Sequence, residues 1–147
     1  LSTPCDKALL LDFKAELFVL RKEFANALKK RLKAIQIIEN ADTEDVRTIT
    51  LLSNLYNNLS NTYLYLKKMK EAAEALKKAF ELLKKHEHLG LMESHDTMQQ
   101  IGNLANMLIV GKEYPQAREL LTLYESLISE YENEECLDYG FYNGIVI

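Results

Sequence analysis

A motif that returns three times at one spacing constrains this chain more than any other feature. It reads Leu59-Ser60-x-x-Tyr63 and then Met69-x-x-Ala72-x-x-x-Leu76-x-x-Ala79. Leu104-Ala105-x-x-Leu108 with Tyr114, Ala117 and Leu121 fits the same frame, as does Ala15-x-x-Phe18 with Phe24, Ala27 and Ala34. The markers Phe24, Met69 and Tyr114 stand 45 residues apart at both steps. Self-similarity at such a period marks a tandem array of helical hairpins, each of which must stack on a neighbour to bury its apolar face. Within a hairpin, Ala15, Ser60 and Ala105 are predicted to face Ala27, Ala72 and Ala117, small on small, so that the two helix axes approach closely. Phe18, Tyr63 and Leu108 are then left to fill the groove between repeats.

Ser2-Thr3-Pro4 opens a helix, since a hydroxyl caps free amides and proline loses nothing in the first turn. Leu9, Leu10, Phe13, Leu17 and Leu20 carry it to residue 20. A second helix runs from Phe24 to about residue 39, and Asp42 or Thr43 is expected to cap a third that reaches about residue 66. The fourth, about 69–86, carries the favourable spacings Glu74 to Lys78 and Glu81 to Lys85. Gly90 and Gly111 are expected to stop the fourth and fifth helices in the left-handed conformation. Pro115 lies in the first turn of a sixth helix that ends near Tyr131.

The repeats therefore occupy about 4–39, 43–86 and 94–131, with 132–147 as a cap or a truncated fourth repeat. The expected fold is all-α: three hairpins stacked in a right-handed superhelix plus a C-terminal partial helix, forming one solenoid domain. Leu1 stands where a reading frame would start with Met, and 45 residues past Ile101 lies Val146. The chain is accordingly expected to be a piece of a longer protein.

Five glycines and two prolines in 147 residues leave little room for a turn-rich β fold. No apolar run approaches the roughly 18–20 residues that span a bilayer, and no leader is evident, so a cytoplasmic protein without membrane contact is expected. Cys5 and Cys136 have neither metal-ligand spacing nor a disulfide framework and read as free thiols. His86, His88 and His95 with Glu87, Glu93 and Asp96 match no standard zinc pattern and read as a polar loop between repeats. No phosphate loop, nucleophile elbow or Cys/His pair occurs, so neither an enzyme nor a cofactor is expected.

The net charge of −4 hides an asymmetry: residues 21–85 carry 14 Lys/Arg against 8 Asp/Glu, and residues 86–147 carry 2 against 11. Such polarity could steer a charged ligand or order copies head-to-tail. The lysines fall mostly on second helices, which solvates outer faces and argues against nucleic-acid binding.

Asn57 to Leu66 with Ala72 and Ala79 resembles the tetratricopeptide repeat, and the likeness covers nearly the whole chain. The 45-residue period is longer than the family's usual one and is similar to the long-helix repeats of kinesin light chains and of bacterial peptide-sensing regulators. Arg31, where the family has a large apolar residue, and Tyr124, where it has alanine, depart from the pattern.

The resemblance implies non-catalytic binding of a protein or extended peptide on a concave face lined by first helices. In this chain those positions are Leu9, Asp12, Glu16 and Val19, then Asn54, Asn57, Asn61, Leu64 and Tyr65, then Gln99, Asn106, Ile109 and Val110. Asparagine amides, offering donor and acceptor together, suit the backbone of a bound peptide. Asp12 and Glu16 exclude the family's carboxylate clamp and suggest a basic group on the ligand. The parent protein would be a bacterial sensor, with an assembly scaffold, self-associating through repeat ends, as the alternative.

Overall fold

A computed structural model describes residues 3–41, 44–86 and 95–131, with side chains described at 99 and 101–125 of the last stretch. Among the described residues the chain is all-helical, without a strand: α1 (Pro4–Leu20), α2 (Phe24–Asn40), α3 (Val46–Tyr65), α4 (Met69–Lys85), α5 (His95–Val110) and α6 (Tyr114–Tyr131). Contacts divide the chain into two units, Leu1–Met92 and Glu93–Ile147. In the first, α1 pairs with α2 and α3 with α4, and the two hairpins stack through α2 and α3, with α1 also reaching α3. The second unit contains the α5–α6 hairpin.

The helix starts follow local chemistry. Thr3 caps α1 through a reciprocal box: its hydroxyl accepts from the Asp6 amide at 3.1 Å, and its own amide donates to the Asp6 carboxylate at 3.2 Å. The cap of α3 is Asp45, which accepts from the Thr48 amide at 2.8 Å, rather than Asp42 or Thr43. Residues 42 and 43, like Gly90, lie outside the described residues.

Backbone amide bonds hold both cap carboxyls below the usual aspartate range, from Thr3 to Asp6 and from Thr48 to Asp45. A lowered native pKa stabilises at pH above the unfolded value, and that contribution is lost as the pH falls through the native value. Acidification below about pH 4 is therefore expected to fray the first turns of α1 and α3 before the rest of the first unit. Amide exchange followed by NMR checks this, and uniform loss of protection would contradict it.

The three hairpin turns are the same structure repeated. Lys22, Lys67 and Lys112 have φ of 61°, 60° and 62°. Each is the left-handed residue of a Schellman motif. The Glu23, Lys68 and Glu113 amides reach back to the carbonyls of Phe18, Tyr63 and Leu108 at 2.8, 2.8 and 2.7 Å. The amide of the left-handed lysine itself bonds Val19, Leu64 or Ile109 at 2.9–3.0 Å. The residue that closes the turn also opens the next helix, since the Glu23, Lys68 and Glu113 carbonyls accept from Ala27, Ala72 and Ala117.

Gly111 is thus not the left-handed stop the sequence suggested. It occupies the position before Lys112, and an added Cβ would meet only ordinary contacts at 3.5 and 3.8 Å. A lysine in the left-handed region is strained where glycine is not. Lys22→Gly, Lys67→Gly and Lys112→Gly should each stabilise by about 0.5–1 kcal/mol in urea denaturation, whereas Gly111→Ala should not destabilise.

The small residues predicted to face each other, Ala15, Ala27, Ser60, Ala72, Ala105 and Ala117, are all buried. Ser60 adds a hydrogen bond, its hydroxyl donating to the Ala72 carbonyl at 2.8 Å across the α3–α4 contact. The core of the first unit joins Ala8, Ala34, Ile35, Ile38, Leu55, Leu59 and Ala79. On the outer surface Lys85 pairs with Glu44 at 3.6 Å and Lys77 with Glu81 at 4.0 Å, contacts the expected helix spacings had not identified.

Candidate functional site

Because α1 and α3 are related by the 45-residue period, burial can be compared position by position along the two first helices. One stripe is open in both. Leu9, Phe13, Glu16 and Leu20 are exposed, and of their counterparts Asn54 and Tyr65 are exposed while Asn58 and Asn61 are half-buried. These residues recur at helical spacing and so share one side of each helix. Since α1 contacts α3, the two stripes are neighbours. Apart from Glu16 the α1 stripe is apolar, with Phe13 58 % and Leu20 78 % exposed, and the α3 stripe is amide-rich.

Tyr65 is held in place by an aromatic stack. Its ring lies parallel to Phe24 at 4.8 Å between centroids, within 5° of coplanarity, while it remains half in solvent. A rigid, half-exposed aromatic offers contact area at little entropic cost.

A polar cluster that shares Glu16 and Asn58 with the stripe ties three helices together. Arg31 of α2 is only 1 % exposed. Its Nε donates to Asp12 of α1 at 3.1 Å, its Nη1 to Thr62 of α3 at 2.7 Å, and its Nη2 to Glu16 of α1. Asn58 closes the circuit by donating from Nδ2 to the Asp12 carboxylate at 3.1 Å. A guanidinium can sit in a core only when its donors are met and its charge is balanced. Asp12, largely buried, and Glu16, half in water, do this.

The residues singled out from the sequence therefore separate. Asp12 and Glu16 are occupied by an internal cation. Asn57 is buried, and Leu64 is half-buried on the flank of α3. Asn54, Asn61 and Tyr65 reach the open stripe, beside Leu9. Val19 is half-buried. In the second unit Gln99, Asn106 and Ile109 are half-buried and Val110 is exposed. There Gln99 donates to Asn103 at 3.2 Å.

Phe13 and Leu20 belong to the site and were read only as helix-forming apolar residues. Their signal was the 45-residue offset to Asn58 and Tyr65. Tyr124, the other departure from the repeat pattern, is buried.

A second concavity, about 290 Å³, lies between α2, α3 and α4 on the side of the second helices. Leu32, Ile35, Leu59 and Ala75 line it together with Glu39, Glu71 and Glu74. Tyr56 donates to Glu39 and carries Lys78 over its ring at 5.9 Å. Burial and the Glu39 contact push the Tyr56 phenol well above its ordinary pKa. Burial, with Glu71 and Glu74, raises Tyr63 as well. Both phenols stay protonated near neutrality, and that of Tyr56 acts as a donor.

Cys5 is a free, half-buried thiol, with Sγ 3.6 Å from the Thr48 hydroxyl. Cys136 lies outside the described residues. Among the described residues no group of three metal-ligating side chains forms, and no helix is long and apolar enough to cross a membrane. His86 is buried. Glu87, His88 and Glu93, and the side chains of His95 and Asp96, lie outside what is described. No protein-family model matches the chain, and no curated protein matches it.

Proposed function

We propose that the chain is a non-catalytic module, similar to tetratricopeptide repeats, that binds an extended peptide segment along the open α1–α3 stripe. The observation that carries this reading is that matching positions reach solvent in both hairpins, exposed at Leu9 with Asn54 and Leu20 with Tyr65, and partly so at Asn58 and Asn61 on α3. Large apolar side chains at Leu9, Phe13, Leu20 and Tyr65 lie in water beside the Asn54 and Asn61 amides. Amides that both donate and accept suit a peptide backbone, and the apolar α1 half suits its side chains. The internal pairing of Asp12 and Glu16 with Arg31 shifts the expected ligand: its residues over α1 are apolar rather than basic.

Selection of peptides from a displayed random library against the immobilised chain tests the proposal. Asn61→Ala is expected to weaken a selected peptide by about 1 kcal/mol or more, and Phe13→Asp by at least as much. Lys33→Glu, on the far side of α2, should leave affinity unchanged. No enrichment, or peptides indifferent to Phe13 and Asn61, would overturn the proposal. The alternative, a scaffold working through its outer surface and repeat ends, draws on the exposure of Leu10 and Leu17 on a different side of α1.

A further inference from the structure

A second set of positions is open in α1 and closed in α3. Leu10 is 55 % and Leu17 53 % exposed, while their counterparts Leu55 and Thr62 are fully buried. The element that covers α3 there is α2: Arg31 donates to Thr62, and Ile35 and Ile38 share one apolar cluster with Leu55 and Leu59. The covering positions of α2 recur two periods later on α6. Leu28, Arg31 and Ile35 correspond to Arg118, Leu121 and Glu125. On α4 the same positions, Ala73, Leu76 and Phe80, are buried. On α6, Arg118 and Glu125 are exposed and Leu121 is half-buried.

We propose that copies of this chain associate head-to-tail, α6 of one copy covering the Leu10–Leu17 face of α1 in the next, as α2 covers α3 within the chain. Two of the three α6 positions meet a complementary residue on α1. Where the interior α2–α3 contact has Ile35 and Leu59 in one apolar cluster, α6 has Glu125 and α1 has Lys14, both exposed. Docking in the same register sets a carboxylate against an ammonium. Where the interior contact has Arg31 on Thr62, the docked copies have Leu121 on Leu17, apolar on apolar. Exposed faces of helical repeats need polar residues for solubility, but solubility alone does not ask that their charges answer each other. Arg118 has no acidic counterpart on this face of α1, so the fit is partial and the association weak. The contact is heterologous, joining two different faces, and so propagates into open chains rather than closing as a dimer.

The test is the weight-average mass of the intact chain by sedimentation over a wide concentration range, at low and high salt. The wild type should grow with concentration, less so at high salt. Lys14→Glu and Glu125→Lys should each weaken association about tenfold or more, and the double swap Lys14→Glu/Glu125→Lys should restore it. Leu17→Glu should abolish it. The three substituted residues, Lys14, Leu17 and Glu125, are exposed, and helicity by circular dichroism should be unchanged. A wild type that stays monomeric throughout, or association that ignores both charge swaps, would overturn the proposal. Peptide capture by the α1–α3 stripe is read separately, so either idea can fail alone.

Discussion

Arg31→Ala is expected to lower the free energy of unfolding of the first unit by about 3–5 kcal/mol, the largest loss for any single polar side chain in it. The substitution strips Asp12, 13 % exposed, of its counter-charge and leaves Thr62 without its donor. Uncompensated burial of a carboxylate costs far more than the surviving bond from Asn58 can offset. Glu16 contributes little to this sum, because at 54 % exposure its charge is screened by water.

Removing both buried charges should be nearly neutral, since apolar groups of similar volume replace such pairs without penalty. Arg31→Met/Asp12→Leu is therefore expected within about 1 kcal/mol of the wild type in urea denaturation. A loss below about 1 kcal/mol for Arg31→Ala alone would show that the cluster behaves as a surface ion pair.

Leu55→Ala should cost about 2–5 kcal/mol, the transfer term plus a cavity at the α2–α3 contact. Leu10→Ala, the same change 45 residues earlier, should cost no more than about 0.5 kcal/mol at low protein concentration, because that side of α1 is open. The pair holds residue type and repeat position constant and varies only what lies over the side chain. Equal effects would mean that Leu10 is covered in solution.

Much of the fold was legible because its signal is periodic. The 45-residue offset set the helix pairing, the buried small residues from Ala15 to Ala117 and, to within a residue or two, most helix ends. The turns were located, but a left-handed stop was expected at only one of them, after α5, and there it was given to Gly111 instead of Lys112. Glycine is the residue expected at a left-handed stop, and nothing local tells that Lys22, Lys67 and Lys112 take that conformation. They are held there by six-residue hydrogen-bonded loops, whose strain the stacking of the two helices offsets.

The site was legible in part. Asn54, Asn61 and Tyr65 reach the open stripe, as a first-helix position implies. Arg31 was noticed only as a departure from an apolar pattern. Its meaning depends on Asp12, Thr62 and Asn58, which are brought to it from other helices and share no sequence spacing with it. That long-range pairing also changes the chemistry expected of a ligand, from basic to apolar over α1.

The most direct measurement is an amide NMR titration of the labelled chain with a library-selected peptide. Shifts should concentrate on one side of α1 and α3, at Leu9, Phe13, Leu20, Asn54, Asn61 and Tyr65, and should vanish in Phe13→Asp. Shifts confined to the groove around Glu39, Glu71 and Glu74, or spread without regard to the stripe, would contradict peptide recognition by this face.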